Sequence, residues 1–388
     1  MRKSNIHRSL HPHLVKCPSH PHCHALVAPP TLRQLPDSMD IAGGISKAAQ
    51  ALEQLKLATE LLPDTDMVTR TLARREAVSS SQIEGTRTQL HELLEYEATQ
   101  SRDGMPADTT VTARYVQALE HGLEALRKRR SRKAITAQLI RKMHAILMQD
   151  APAHVMAGHY RNTQAWIGSD RIEDANFVPI PPNRIAACMA ELEASMLLYA
   201  PRKEEHGHLS VVAQIAIAHA QFETIHPFAD GNGRAGRLLM PLILAAESYP
   251  PLYLSGWLLR HRRAYYDALL DVQLRANWIP WIALMSRAVV DSCDSAIAIA
   301  RDLKALRDEW LTRLSSLRAD ATARRLPTWL LGHPVVTVKQ IASAMNVSYV
   351  VANRAAEQLV AHGILREPVR RRNRVFHATE ILERLQRP

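Results

Sequence analysis

Glycine is scarce in this chain, at 14 of 388 residues, and aromatic side chains make up only 5%. β-Sandwiches and barrels draw on turn glycines and on aromatic strand residues, so this shortage, alongside abundant Ala and Leu, points to a mostly α protein. Cysteine is nearly absent too. Four thiols in a chain this long exclude a disulfide framework and fit a reducing compartment. No apolar run approaches the roughly 18 residues of a membrane span. The best candidate, near 238–246, is interrupted by Pro241. Arg2 and Lys3 are not followed by an apolar stretch, so no secretory signal is read and the expected location is cytoplasmic, with no membrane partner. Residues 1–36 contain no acidic side chain and no periodic apolar pattern; they are rich in His and Pro and read as a disordered tail.

What is present is the balance of a globular protein, with 46% hydrophobic and 22% charged residues. At about 150 residues per domain, the length suggests two or three domains. The net charge is +11, and residues 301–388 hold sixteen basic against eight acidic side chains, so most of the surplus lies in the last quarter. Such a surplus favours anionic partners and says nothing about fold.

Cys17, His20, His22, Cys23 and His24 crowd one short segment of the tail, as zinc ligands would. Their spacing matches no paired-ligand module and no second cluster exists, so the tail reading is preferred. From Asp40 the pattern becomes helical, with Ile41, Ile45, Ala48, Leu52, Leu55 and Leu62 on one face, broken at Pro63 and Asp64. A second helix is expected over 68–83, stopped by Gly85, and a third from Thr88. The polar stretch 101–108 reads as a boundary loop. Helices follow near 110–128, 134–149, 184–198 and 209–225. Between them, Ala165, Trp166 and Ile167, then Phe177, Val178 and Ile180, flank a polar turn and read as an extended hairpin over about 163–178.

The most informative segment begins at His226 and reads His226, Pro227, Phe228, Ala229, Asp230, Gly231, Asn232, Gly233, Arg234, Ala235, Gly236, Arg237. One helix should end at Ile225 and another start near Asn232. The glycines between them allow positive φ, and successive N–H groups can then converge on one point at a helix N-terminus, an arrangement suited to phosphate. Arg234 and Arg237, three apart, lie on neighbouring positions of one helical face and can add charge-assisted bonds to a polyphosphate. Asp230 supplies the hard oxygen that magnesium prefers. His226 supplies a base that titrates near neutrality. Taken singly, each has a bland reading as a turn, a solvated face or a surface acid; together in twelve residues they point to nucleotide chemistry.

These residues carry a family resemblance. The segment resembles the signature of Fic proteins, His-x-Phe-x-(Asp/Glu)-Gly-Asn-Gly-Arg-x-x-Arg, with all eight specified positions matched. The resemblance implies a Fic-type helical core over about 101–300 that uses ATP with Mg²⁺ to transfer AMP to a protein hydroxyl. It implies His226 as general base, Asp230 as the magnesium ligand, and Gly231, Asn232 and Gly233 as the phosphate cradle. Arg234 and Arg237 would hold the β and γ phosphates, and Phe228 would anchor the core. The hairpin at 163–178, flanked by Tyr160, Arg161 and the stretch 177–182, resembles the family's flap, on which a target protein docks; a plain packing hairpin is the alternative. Tyr265 is expected to border the adenine, against core packing; Tyr266, Asn277, Trp278 and Trp281 share that region, and Gln221 is a weaker pocket candidate.

Ser80, Glu84 and Gly85 match the family's inhibitory motif, (Ser/Thr)-x-x-x-Glu-(Gly/Asn), within an N-terminal helical region over 37–100. The implied mechanism has Glu84 compete for Arg237; self-modification would rise on its release, and a second reading has the same carboxylate position a water for AMP removal. After a linker helix over 301–330, residues 331–388 resemble a winged-helix domain, with helices near 338–345 and 349–362 and a basic wing holding Arg370, Arg371, Arg372 and Arg374. Residues 336–377 either contact DNA phosphates or dock on protein. A homodimer is compatible with the resemblance. The competing classes are a DNA-binding regulator with a nucleotide-sensing Fic-like core, and a relative that moves a phosphate or another nucleotide.

Overall fold

Ile41, Ala48, Leu52 and Leu55 are buried along the first long helix, as their spacing requires. The computed structural model describes the chain except residues 62–64, 130, 203–207, 367–373 and 387–388. In order, the described elements are β1 (Leu14–Cys17), β2 (His20–Leu26), α1 (Met39–Leu61), α2 (Thr65–Ile83), α3 (Leu90–Thr99), α4 (Thr109–Arg129), α5 (Ala137–Leu147) and α6 (Ile185–Leu192). There follow α7 (Val211–Ile225), α8 (Asn232–Ala246), α9 (Ser255–Arg260), α10 (Arg262–Arg275), α11 (Ile279–Arg313) and α12 (Thr322–Leu330). The chain continues through β3 (Val335–Thr337), α13 (Val338–Met345), α14 (Tyr349–Ala361), β4 (Val375–His377) and α15 (Thr379–Gln386). The fold is mostly helical, with two small antiparallel sheets, β1–β2 and β3–β4. Among the described residues no helix is long and apolar enough to cross a membrane.

The chain forms two compact units, each assembled from two segments. One comprises residues 1–54 and 117–293, the other 55–116 and 294–388. This grouping differs from the expected consecutive blocks. Its borders fall inside α1, α4 and α11, where the expectation has 100/101 and 300/301, and α11 runs unbroken across 301 to Arg313.

The first unit is organised around α7 and α8, which pack on each other. α7 starts at Ser210, whose side chain accepts the Ala213 N–H, and every residue over 212–225 is buried. A helix apolar on all sides is a core helix, and its polar residues must find partners inside. Gln214 accepts from Arg132 and donates to the Leu209 carbonyl, while Thr224 donates to the Ala220 carbonyl. His219 shares a 2.9 Å hydrogen bond with the Tyr265 hydroxyl. Burial and the nearby Arg237 charge push its pKa down to about 3, so the ring is neutral.

The expected disordered tail is instead part of this unit. Leu14 pairs with Leu26 and Val15 with Ala25 in an antiparallel hairpin. Met1, Ile6, Leu10, Cys17, Cys23, Ala25 and Leu26 then bury against Ile172, Ala175, Phe177 and Val178. The Leu26 N–H donates to the Val178 carbonyl at 3.0 Å, and the His7 N–H to the Leu274 carbonyl at 2.8 Å. The apolar residues of this stretch sit singly between His and Pro, too sparsely to show a period, and their partners lie far along the chain. Cys17 and Cys23 are core members; burial raises the Cys17 thiol to about 11.

The second unit contains α2 and α3 and the C-terminal elements. Gly85, at φ +96°, ends the turn after α2, as expected of a stop. Thr337 and Gln340 form a capping box at the start of α13, Asn346 closes it at φ +53°, and Ser348 caps α14. This is the helix-turn-helix spacing read from sequence. β3 and β4 pair in register Val336↔Phe376, and Arg366 bridges His377. Arg374 bonds Asn353 and Glu357. Arg370, Arg371 and Arg372 of the expected wing lie outside the described residues.

Leu26→Ala should destabilise the first unit by about 2–5 kcal/mol, the usual range for a buried leucine. Urea denaturation reads this, and an unchanged midpoint would return the segment to solvent. Neutral burial of His219 carries a pH signature. Its folded pKa lies below the unfolded value near 6.5, so its contribution is complete above pH 6.5 and is lost as pH falls toward 3. The stability of His219→Gln should fall less steeply over that window; parallel curves would disprove the burial argument.

Candidate nucleotide site

The loop between α7 and α8 is built by two left-handed residues. His226 sits at φ +50°, and its N–H caps α7 on the Phe222 carbonyl at 2.9 Å. For a non-glycine this conformation costs roughly 1–2 kcal/mol, so the surroundings must hold it. Gly231, at φ +77°, is the N-cap of α8; a Cβ there would lie 2.7 Å from Met148 Sδ. Of the two glycines expected to supply positive φ, only Gly231 does so, and Gly233 is already in the first helical turn.

Three side chains shape the loop. Asn232 accepts the Phe228 N–H and donates to the Phe228 carbonyl, both at 2.9 Å. Phe228 is fully buried and stacks on His144 with centroids 3.6 Å apart, in agreement with an anchoring role. The Gly158 N–H donates to His144 Nδ1 at 2.9 Å, which makes Nδ1 the acceptor, so Nε2–H donates to the Asp230 carbonyl at 2.9 Å. Desolvation holds this imidazole near pKa 4, so it is neutral.

The charges gather around this frame. The Asp230 side chain is 62% exposed; Oδ1 accepts the Gly231 N–H at 2.6 Å and Oδ2 lies 3.9 Å from Arg234 Nη2. Arg234 and Arg237 are 6% and 0% exposed, so the pair is not a solvated helix face. Arg234 also contacts Met148 Sδ at 3.5 Å. The His226 imidazole is partly exposed, with Nδ1 3.9 Å from the Glu223 carboxylate, itself buried on α7. One loop thus presents a base, an open carboxylate and a helix N-terminus whose first-turn N–H groups lack intrahelical partners, beside two buried guanidiniums.

The remaining expected residues divide. Tyr265 is 1% exposed, bonded to His219 and tilted against Trp281 at 5.8 Å, so its ring packs in the core of the first unit. Gln221 donates to the Pro29 carbonyl at 2.6 Å and ties down the N-terminal segment instead of facing a pocket. Trp281 is buried with its indole N–H on the Ala216 carbonyl, and Asn277 donates to Asp271. The hairpin at 163–178 is closed by a single antiparallel bridge, Ile167↔Phe177, and not by an extended ladder. Trp166 remains partly exposed on it. Ser80, fully buried near the end of α2, and Glu84, whose N–H donates to the Ser81 carbonyl, belong to the second unit. His144, Met148 and Glu223 were not identified from sequence. A lone histidine on a helix more than 80 positions before the motif gives no local signal.

The comparisons with known proteins accord with this geometry. Residues 43–124 match the Fic/DOC family N-terminal model and residues 134–244 the Fic/DOC family model. The chain is 31% identical over 147 residues to Protein adenylyltransferase Fic of Culex quinquefasciatus, covering 35% of this chain and 26% of that protein. It is 27% identical over 180 residues to the Drosophila grimshawi protein of the same name, covering 44% and 34%. The match therefore spans only about a quarter to a third of these relatives. Among solved structures, a Fic family protein from Desulfovibrio desulfuricans G20 aligns with TM-score 0.54 at 18% identity over 89% of this chain and 98% of that one. Fic-1 from C. elegans aligns with TM-score 0.53 at 20% identity over 67% and 74%. At these identities the structures establish a shared fold, and the two family matches show that the chain contains a Fic/DOC family N-terminal region over 43–124 and a Fic/DOC family region over 134–244.

Proposed function

We propose that the chain is a protein adenylyltransferase that moves AMP from ATP to a Ser, Thr or Tyr hydroxyl of a protein. The observation that carries this reading is the complete motif folded into one loop, with His226 beside Glu223 and with Arg234 and Arg237 buried at the start of α8. The names of the curated relatives, Protein adenylyltransferase Fic, support it.

His226 accepts the proton of the incoming hydroxyl. The hydroxyl oxygen attacks the α-phosphorus, forming a P–O bond while the bond to the bridging oxygen breaks, and pyrophosphate departs with that electron pair. The first-turn amides of Gly231, Asn232 and Gly233, with Arg234 and Arg237, bind the phosphates and stabilise the leaving charge. Among the described residues no group of three or more His, Cys, Asp or Glu could hold a metal ion. A lone exposed carboxylate still fits magnesium, which binds through one or two carboxylates plus substrate phosphates and retained waters. Asp230 would hold such an ion, which when bound neutralises phosphate charge.

Glu84 is proposed as a brake that competes with the γ-phosphate for Arg237, with Ser80 at the first position of its motif. A charge-assisted pair is worth about 1.5–3 kcal/mol, or about one to two decades in a binding equilibrium. The docking site for the target is proposed as the flap at 163–178. A second reading, a DNA-binding regulator acting through residues 336–377, draws on the capped helix pair α13 and α14 joined by the turn at Asn346.

His226→Ala should lower transfer from α-labelled ATP by about 10²–10⁴-fold with ATP affinity retained; transfer near the wild-type rate would remove it as the base. Glu84→Gly should raise self-modification or target modification by about 10–10²-fold, matching the decades above. Equal rates for Glu84→Gly and wild type would sink the brake, and duplex DNA binding with no label transfer from either would favour the regulator.

A further inference from the structure

Arg161 precedes the flap, and its guanidinium is 2% exposed. Its backbone N–H donates to the Pro227 carbonyl at 2.9 Å. From the side chain, Nε donates to the His226 carbonyl at 2.9 Å, Nη1 to the Thr163 carbonyl at 2.9 Å and Nη2 to the Ile180 carbonyl at 2.5 Å. Among the described residues these acceptors are all backbone oxygens, with no carboxylate. Removing a cation from water without a counter-ion is unfavourable, and an apolar residue of similar size would fill the space at lower cost. The guanidinium therefore earns its place through those carbonyls. Burial pulls its pKa down to about 10, still charged at neutral pH.

The choice of acceptors is informative. Thr163 and Ile180 lie at the two ends of the flap, where the chain enters and leaves it. His226 and Pro227 open the motif loop, and His226 holds a left-handed backbone that needs external support. A planar fork with fixed donor directions can hold three carbonyls in one relative position, which a lysine cannot.

We propose that Arg161 is a positioning residue that locks both ends of the flap to the backbone of His226, fixing the distance between a docked target hydroxyl and the imidazole. This rests on the transferase reading. The clamp differs from a merely stabilising contact because it ties the acceptor's docking strand, not the nucleotide, to the base. Its loss should therefore reach turnover and leave nucleotide affinity alone.

The test uses the full chain with Arg161→Lys, and Arg161→Met as a second variant that keeps the apolar stem and removes the buried charge. Met removes the desolvated charge but also leaves three carbonyls without their donor, so melting is read for both variants before turnover is compared. The readouts are thermal melting, ATP affinity by calorimetry, kcat and KM for label transfer in the Glu84→Gly background, and amide hydrogen exchange over 163–167 and 177–180. In a variant that melts cooperatively, ATP affinity should stay within about threefold. Turnover should fall by about 10²-fold, the scale of a misplacement near 1 Å, and the flap amides should exchange about tenfold or more faster. Turnover within about threefold of the parent, a loss lying wholly in ATP affinity, or flap exchange at the parent rate would each overturn the clamp. If the parent itself transfers no label, the transferase reading fails, and flap exchange alone decides whether Arg161 clamps the hairpin.

Discussion

The left-handed backbone at His226 is the constraint on which the site depends. By ending α7 there, the chain brings the imidazole out beside Glu223 and turns so that α8 can begin six residues later with its N-terminus facing the same space. A non-glycine in that conformation persists only when neighbours over-determine it. The neighbours are visible: Arg161 on the carbonyls, Asn232 on both polar backbone groups of Phe228, and His144 stacked beneath Phe228 and bonded to the Asp230 carbonyl. Each belongs to a different part of the chain, so the loop is held from several sides.

That convergence explains what was legible in the sequence. The motif was readable because its chemistry is local: twelve consecutive residues specify a turn, a helix start and the charges beside it. The helix pattern was readable for the same reason, since apolar spacing such as Ile41, Ala48, Leu52 reports burial within a few turns. His144 and Arg161 were not readable as supports, because the motif-loop groups they hold, the carbonyls of Asp230, His226 and Pro227, lie more than 60 positions away. Tyr265 and Gln221 were polar or aromatic residues near a suspected pocket, and sequence gave no means to tell a pocket wall from a core contact. The structure adds their partners, His219 for Tyr265 and the Pro29 carbonyl for Gln221.

The N-terminal segment went unread for a related reason. His-rich, Pro-rich and without acid, it has the composition of a tail, yet Met1, Ile6, Leu10 and Leu26 find an apolar surface at Ile172 and Phe177. Composition measures what a segment could bury by itself; it is silent about a surface supplied from elsewhere. The result ties the hairpin at 163–178 to the N-terminal segment through the bond of Leu26 to Val178, while Arg161 bonds the Thr163 and Ile180 carbonyls.

The interleaving of the two units bears on biosynthesis. Residues 55–116 are translated before 117–293 but belong with 294–388, which follow them. Residues 1–54 and 117–293 can therefore complete their core while the intervening helices are still without their mates. Domains usually finish in the order of translation. Here the first unit can close while residues 55–116 still await 294–388 of their own unit, the interval in which a chaperone would be most needed.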